Sequence, residues 1–252
     1  MRTLIIAPNW IGDAVMAQPL VALLARPGAD DRIDVLAPPH VAPVFRAMEH
    51  VHEVIVAANA HGRLQFGARW RLARSLRGRR YDRCVVLPNS MKSALVPFLA
   101  GIPERIGHRG ENRYLLINRM HDAAPGARPP MVEFYARLAF PPGTPMPPQV
   151  PNPVLRHDVQ RKREVLERLG LQLDDPLVVL CPGAEYGEAK RWPARHVAAL
   201  AALVAIEWPE ATIVLLGSAK ERPMATEIAA LSGHELHNLC GETTLDEAIA
   251  LI

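Results

Sequence analysis

Four segments of the chain bring together residue types that can do chemistry. The first is Pro8-Asn9-Trp10-Ile11-Gly12-Asp13. It follows an apolar run and opens a helical pattern. Gly12 lets a ligand approach the backbone there, and a helix start favours negative charge. Asp13 is a carboxylate at that turn, either a base for a reacting hydroxyl or a first-turn acid set against the helix dipole. The second is Pro88-Asn89-Ser90-Met91-Lys92-Ser93. Asn89 and Ser90 suit a helix cap, but Lys92 near a helix start opposes the dipole and so calls for another role. The third carries Arg105, His108, Arg109 and Arg113, with Glu104 and Glu111 interleaved. It is either a solvated charged face or a set of guanidinium forks for an anionic acceptor. The fourth is Cys181-Pro182-Gly183-Ala184-Glu185-Tyr186-Gly187-Glu188-Ala189-Lys190-Arg191-Trp192-Pro193. Its glycines, its Lys190-Arg191 pair and the helix start behind them make a diphosphate cradle or a surface loop. A parallel feature, Gly217-Ser218-Ala219-Lys220-Glu221, offers a carboxylate suited to a ribose diol.

The elements that must position these residues follow from the apolar pattern. Strands are expected over 4–7, 33–37, 54–57 and 83–87, and helices over 14–25, 41–48, 69–77 and 90–100. Residues 108–130 show no period and read as a long loop; 131–140 turn helical again. Seven prolines in positions 141–153 exclude helix and central strand and mark a linker. Beyond it, helices over 159–169, 196–207, 223–231 and 245–252 alternate with strands over 177–181, 212–216 and 236–239. The domains expected are 1–140 and 154–252, joined by 141–153. Both are α/β with parallel sheets. The second has only three strand signals, and the chain stops inside an apolar stripe. It is expected to be shorter than the fold it belongs to.

Composition narrows the function classes. The chain has 252 residues, 49% of them hydrophobic and 22% charged, which excludes disordered and collagen-like classes. The longest apolar run, 197–206, is half of the roughly 20 residues a membrane-spanning helix needs. The N-terminal apolar stretch is too short for a signal peptide, so a cytoplasmic location is expected. Net charge is +3 from 29 basic and 26 acidic residues, too small an excess to point to nucleic acid. Cys84, Cys181 and Cys240 lack metal spacing and read as buried free thiols. No histidine set has metal-ligand spacing, so no metal is expected. Neither GxGxxG nor a Walker A lysine is present, which counts against a dehydrogenase.

Taken in order, Asn9-Trp10-Ile11-Gly12-Asp13, Leu87-Pro88-Asn89-Ser90 with Lys92-Ser93-Ala94, Gly101-Ile102-Pro103-Glu104-Arg105-Ile106-Gly107, Pro182-Gly183-Ala184-Glu185 with Ala189-Lys190-Arg191-Trp192-Pro193, Gly217-Ser218-Ala219-Lys220 and Asn238-Leu239-Cys240-Gly241-Glu242-Thr243 resemble the ADP-heptose glycosyltransferases of glycosyltransferase family 9. The likeness covers essentially the whole chain. It implies a GT-B fold, two Rossmann-like domains facing a cleft, the second incomplete here. It implies inverting transfer of L-glycero-D-manno-heptose from ADP-heptose to the first heptose of Kdo-lipid A, at the inner face of a Gram-negative inner membrane, with peripheral membrane contact. By the resemblance Asp13 is the catalytic base. Gly12, Gly183, Lys190, Glu221 and Thr243 bind the donor; Asn89, Ser90, Lys92, Arg105 and Arg109 bind the acceptor. No cofactor or metal is implied beyond the sugar donor. Family members continue past the helix opening at Leu245 into an Asp-Ser-Gly-x-x-His-type motif that this chain does not reach. A catalytically inactive remnant is therefore the alternative.

Overall fold

The protein is described here by a computed structural model covering residues 1–26, 28, 30–57, 66–122, 129–156, 158–171, 175–184 and 188–252. The chain divides into two compact units, Met1–Arg156 and His157–Ile252.

The first unit is built on a six-stranded sheet: β1 (Arg2–Ile6), β2 (Arg32–Ala37), β3 (Val51–Val56), β4 (Arg83–Val86), β5 (Glu104–His108) and β6 (Arg119–His121). Their order is β3-β2-β1-β4-β5-β6 and every pairing is parallel. β1 is central and buried on both faces, which is why it reads Thr-Leu-Ile-Ile without alternation. On one side of the sheet lie α4 (Phe66–Arg77) and α5 (Met91–Leu99). Their Ala73, Leu76, Ala94 and Val96 pack in one core cluster with Leu4, Ile6, Cys84 and Val86.

The helix expected over 14–25 is two helices, α1 (Ile11–Met16) and α2 (Gln18–Leu24). The break falls at Ala17 because Pro19 has no N–H and fits only a first helical turn. A short α3 (Ala42–Arg46) joins β2 to β3, and α6 (Met131–Ala136) precedes a 3-10 turn, Arg137–Ala139.

Residues 108–130 are not one long loop, as the sequence pattern suggested. β6 lies within them and pairs parallel to β5, Ile106 opposite Arg119 and His108 opposite His121. A parallel pair usually needs a crossover helix. Here residues 109–118 suffice, because Arg113 and Ile117 turn inward and fill the space a helix would cover. Residues 123–128 lie outside the described residues.

The proline-rich stretch runs on with the first unit. The Val154 N–H donates to Gln18 Oε1 at 3.1 Å, and the Arg156 N–H to the Ala47 carbonyl at 2.7 Å. These bonds carry the first unit to Arg156, past the 140 and 153 boundaries read from sequence.

The second unit has β7 (Leu177–Leu180), β8 (Thr212–Leu215) and β9 (His237–Asn238), all parallel and in that order. α7 (Val159–Leu169) stops at Gly170, which takes the left-handed conformation that ends helices. α7 and α10 (Leu245–Leu251) contribute Val165, Leu166, Ala250 and Leu251 to one core cluster. α8 (Ala194–Glu207) and α9 (Arg222–Ser232) contribute Val197, Ala198, Ala225 and Ile228 to another. No helix among the described residues is long and apolar enough to cross a membrane.

Candidate active site

In each unit the candidate residues collect at the C-terminal ends of parallel strands, where open α/β sheets hold ligands. In the first unit the strand order reverses between β1 and β4. The β1 end carries Gly12 and Asp13; the β4 end carries Asn89, Ser90 and Lys92.

Asp13 sits in the first turn of α1, half-buried, with no ion pair or side-chain hydrogen bond among the described residues. Burial holds its carboxyl above the ordinary carboxylate value. The buried Tyr135 phenol is close enough to feel this charge; burial first, then Asp13, pushes its pKa up. Gly12 is exposed, with open space where a Cβ would stand, and Trp10 and Ile11 beside it are exposed too. The loop is therefore an open apolar rim around an unsatisfied carboxylate.

The opposite wall is rigid. Ser90 caps α5, its Oγ accepting from the Ser93 N–H. Glu111 Oε2 accepts from the Met91 N–H at 3.0 Å, and the Glu111 N–H donates to the Asn89 carbonyl. Gly110 presses so close that a Cβ there would stand 2.4 Å from the Asn89 carbonyl oxygen. Arg113 is 1% exposed. It donates to the Pro88 carbonyl at 2.6 Å, to Asn89 Oδ1 at 3.0 Å and to the His108 carbonyl. Burial pulls its pKa down, and among the described residues it forms no ion pair. His108, stacked on Phe134 at 3.6 Å, is pushed to about 4 by burial and is neutral at pH 7.

Asn89 Oδ1 and Ser90 Oγ take part in the fold through Arg113 and the α5 cap, and the bonds of Arg105 correct one expectation. Arg105 lies on β5, and its guanidinium donates to the Leu116, Ile102 and Pro103 carbonyls, over the Phe98 ring. It is not an open fork for an anion. Arg105→Ala is accordingly expected to cost about 1–2 kcal/mol of stability and leave the acceptor KM unchanged, read by thermal melting beside steady-state kinetics. Lys92 and Arg109 stay accessible. Among the described residues Lys92 forms no ion pair, and the Arg109 guanidinium pairs with the exposed Asp122 at 2.6 Å, a pair of little strength.

In the second unit the Glu221 carboxylate is the organising group. It accepts from the Ser218 N–H at 2.6 Å in a capping box, at the β8 end. It also lies against the β7 end: a Cβ on Gly183 would stand 1.4 Å from Glu221 Oε1, and one on Gly217 2.8 Å from Oε2. Only glycine at 183 lets that carboxylate lie across both strand ends. Lys190 is exposed at the end of a 3-10 turn, Glu188–Lys190, and forms no ion pair among the described residues. Behind it α8 starts at Pro193 with no side-chain cap, which leaves its N-terminal dipole open to an anion. Thr243 is half-buried just before α10, past the β9 end. Residues 185–187 of the loop lie outside the described residues. Cys84 and Cys240 are buried as expected, but Cys181 is exposed, because it stands one residue past β7.

Asp34, His52 and Glu53 approach within 4.8 Å of one another. Asp34 already accepts from Tyr81 and His52, and Glu53 is paired by Arg79. His52 and Glu53 lie at the start of β3, the sheet end remote from Asp13.

Comparison with known proteins places this architecture. A family model described as glycosyltransferase family 9 (heptosyltransferase) matches residues 69–252. Lipopolysaccharide heptosyltransferase 2 of Escherichia coli K12 is 43% identical over 261 aligned residues, covering the whole chain and 74% of that protein. Lipooligosaccharide heptosyltransferase 2 of Haemophilus influenzae is 38% identical, covering the whole chain and 75% of that protein. The solved structure of E. coli ADP-heptose LPS heptosyltransferase II superposes with a TM-score of 0.88 at 40% identity, covering all of this chain and 76% of that one. The fold is of the GT-B glycosyltransferase type. The chain belongs to glycosyltransferase family 9, the heptosyltransferases, and spans about three quarters of the length of the relatives it matches.

Proposed function

We propose that the protein transfers L-glycero-D-manno-heptose from ADP-heptose to the first heptose of Kdo-lipid A, building the inner core of lipopolysaccharide at the cytoplasmic face of the inner membrane. The observation that carries this is the match to heptosyltransferase 2 along the full chain, with Asp13 at the β1 end and no ion pair to it among the described residues. Asp13 takes the proton of the acceptor hydroxyl as that oxygen attacks the anomeric carbon. The bond from that carbon to the diphosphate oxygen breaks on the opposite face, and ADP departs with the electron pair, so configuration inverts. Lys190 and the open start of α8 meet the growing diphosphate charge. Glu221 accepts from the ribose hydroxyls, Thr243 borders the adenine, and Gly12 leaves room for the donor. Lys92 and Arg109 face the anionic acceptor.

Two donor-side variants test the reading by calorimetric titration with ADP. Lys190→Ala removes a charge-assisted contact worth about 1.5–3 kcal/mol, so Kd should rise roughly 10–100-fold. Chelation by EDTA should leave transfer unchanged, since Lys190 and α8 supply the positive charge. Gly183→Ala displaces the Glu221 carboxylate and should weaken ADP binding by about 10-fold with only a small change in melting temperature. Unchanged ADP affinity in both variants would place the diphosphate elsewhere.

A further inference from the structure

The outward face of α4 has a pattern the transfer chemistry does not use. Phe66, Trp70, Arg74 and Arg77 recur at helical spacing, with Arg71 beside Trp70. Phe66 is 54% exposed and Trp70 43%. The inward face is Arg69, Ala73 and Leu76, all buried. Trp70 is held outward: the Arg77 guanidinium lies 5.6 Å over its ring and donates through Nε and Nη2 to the Leu99 carbonyl. Six arginines and no acidic residue occur between Phe66 and Tyr81. Arg71 and Arg74 form no ion pair among the described residues. Aromatic rings in line with unneutralised guanidinium groups suit a boundary between anionic headgroups and acyl chains. A nucleic-acid duplex would use the arginines but leave Phe66 and Trp70 in water.

We propose that the exposed face of α4, formed by Phe66, Trp70, Arg71 and Arg74, docks the protein on an anionic phospholipid surface. The inference rests on the proposed lipid-linked acceptor, since an enzyme held at the bilayer meets such an acceptor by diffusion in two dimensions. The guanidinium groups supply long-range attraction to headgroups, weakened by salt, and the rings supply short-range insertion.

The test is co-sedimentation with vesicles of phosphatidylethanolamine and phosphatidylglycerol, against vesicles of phosphatidylcholine alone. The expected result is binding to the anionic vesicles only, weakened about 30-fold in Arg71→Ser/Arg74→Ser and reduced in Trp70→Ala. Arg163→Ser, at an exposed position of α7, should bind like the parent. The Arg71→Ser/Arg74→Ser and Trp70→Ala variants should keep full transfer to an acyl-free acceptor and lose it on vesicle-embedded acceptor, whereas Arg163→Ser should keep both. Equal binding to both vesicle types, unchanged binding in the variants, tighter retention on duplex DNA, or loss of transfer to the acyl-free acceptor would overturn the proposal. Vesicle binding with no transfer to any acceptor would instead defeat the proposed function and leave the docking face standing.

Discussion

Asp13→Asn should lower kcat by about 10²–10⁴-fold, the usual contribution of a positioned general base. ADP affinity should change little, since the carboxylate lies at the β1 end of the first unit and Lys190 and Glu221 lie in the second. The asparagine keeps the shape of α1 and removes only the proton acceptor. The pH profile gives an independent check. Burial raises the Asp13 pKa, so activity should be full above that raised value and fall as pH drops through it, at a higher pH than an ordinary carboxylate would give. Stability runs the other way. A carboxyl whose folded pKa exceeds its unfolded value costs stability when ionised, and the cost disappears as pH falls. Asp13→Asn should therefore melt at the same or a higher temperature near neutral pH. Parent-like turnover in this variant, measured alongside its melting curve, would remove Asp13 from the mechanism.

Arg113→Ala should destabilise the first unit strongly. It strips three acceptors of their donor, the Pro88 and His108 carbonyls and Asn89 Oδ1, and leaves a cavity in the β5–β6 crossover. At about 1–3 kcal/mol for each buried group left unpaired, the three together give an expected loss of at least about 3 kcal/mol. A domain of this size should then melt about 10 °C lower. Because Arg113 ties the β4 end to the β5 end, the start of α5, which carries Lys92, should loosen and the acceptor KM should rise, with ADP binding unchanged. Arg113→Lys keeps the charge but cannot span three acceptors, so it should fall between. A melting temperature unaffected by Arg113→Ala would mean that the buried guanidinium carries no share of this wall.

Strands and helices with strong apolar runs were legible in the sequence. β1, β2, β4 and α7 fall within about two residues of their expected bounds, because buried parallel strands and one amphipathic helix each impose a clear period. β6 was not legible: it is three residues, Arg-Met-His, too short and too polar to show any period. The split of α1 from α2 was available in Pro19 but was outweighed by apolar spacing that runs through it. At the site, Asp13 and the glycine-rich loops were readable because they follow strands directly. The roles of Arg105 and Arg113 were not. Arginine composition cannot distinguish a guanidinium waiting for an anion from one spent on backbone carbonyls. Nor does spacing reveal that Gly183 and Glu221 touch, since they meet across two strand ends.

Heptose transfer with Asp13 as base is decided by the structure of the reaction product. The protein would be incubated with ADP-heptose and heptosyl-Kdo-lipid A, and the product examined by mass spectrometry and by the anomeric coupling in its NMR spectrum. The expected product carries one added heptose per ADP released, with anomeric configuration inverted relative to the donor, and Asp13→Asn forms it about 10²–10⁴-fold more slowly. Release of ADP without heptose addition, retention of configuration, or equal product from Asp13→Asn would contradict this mechanism.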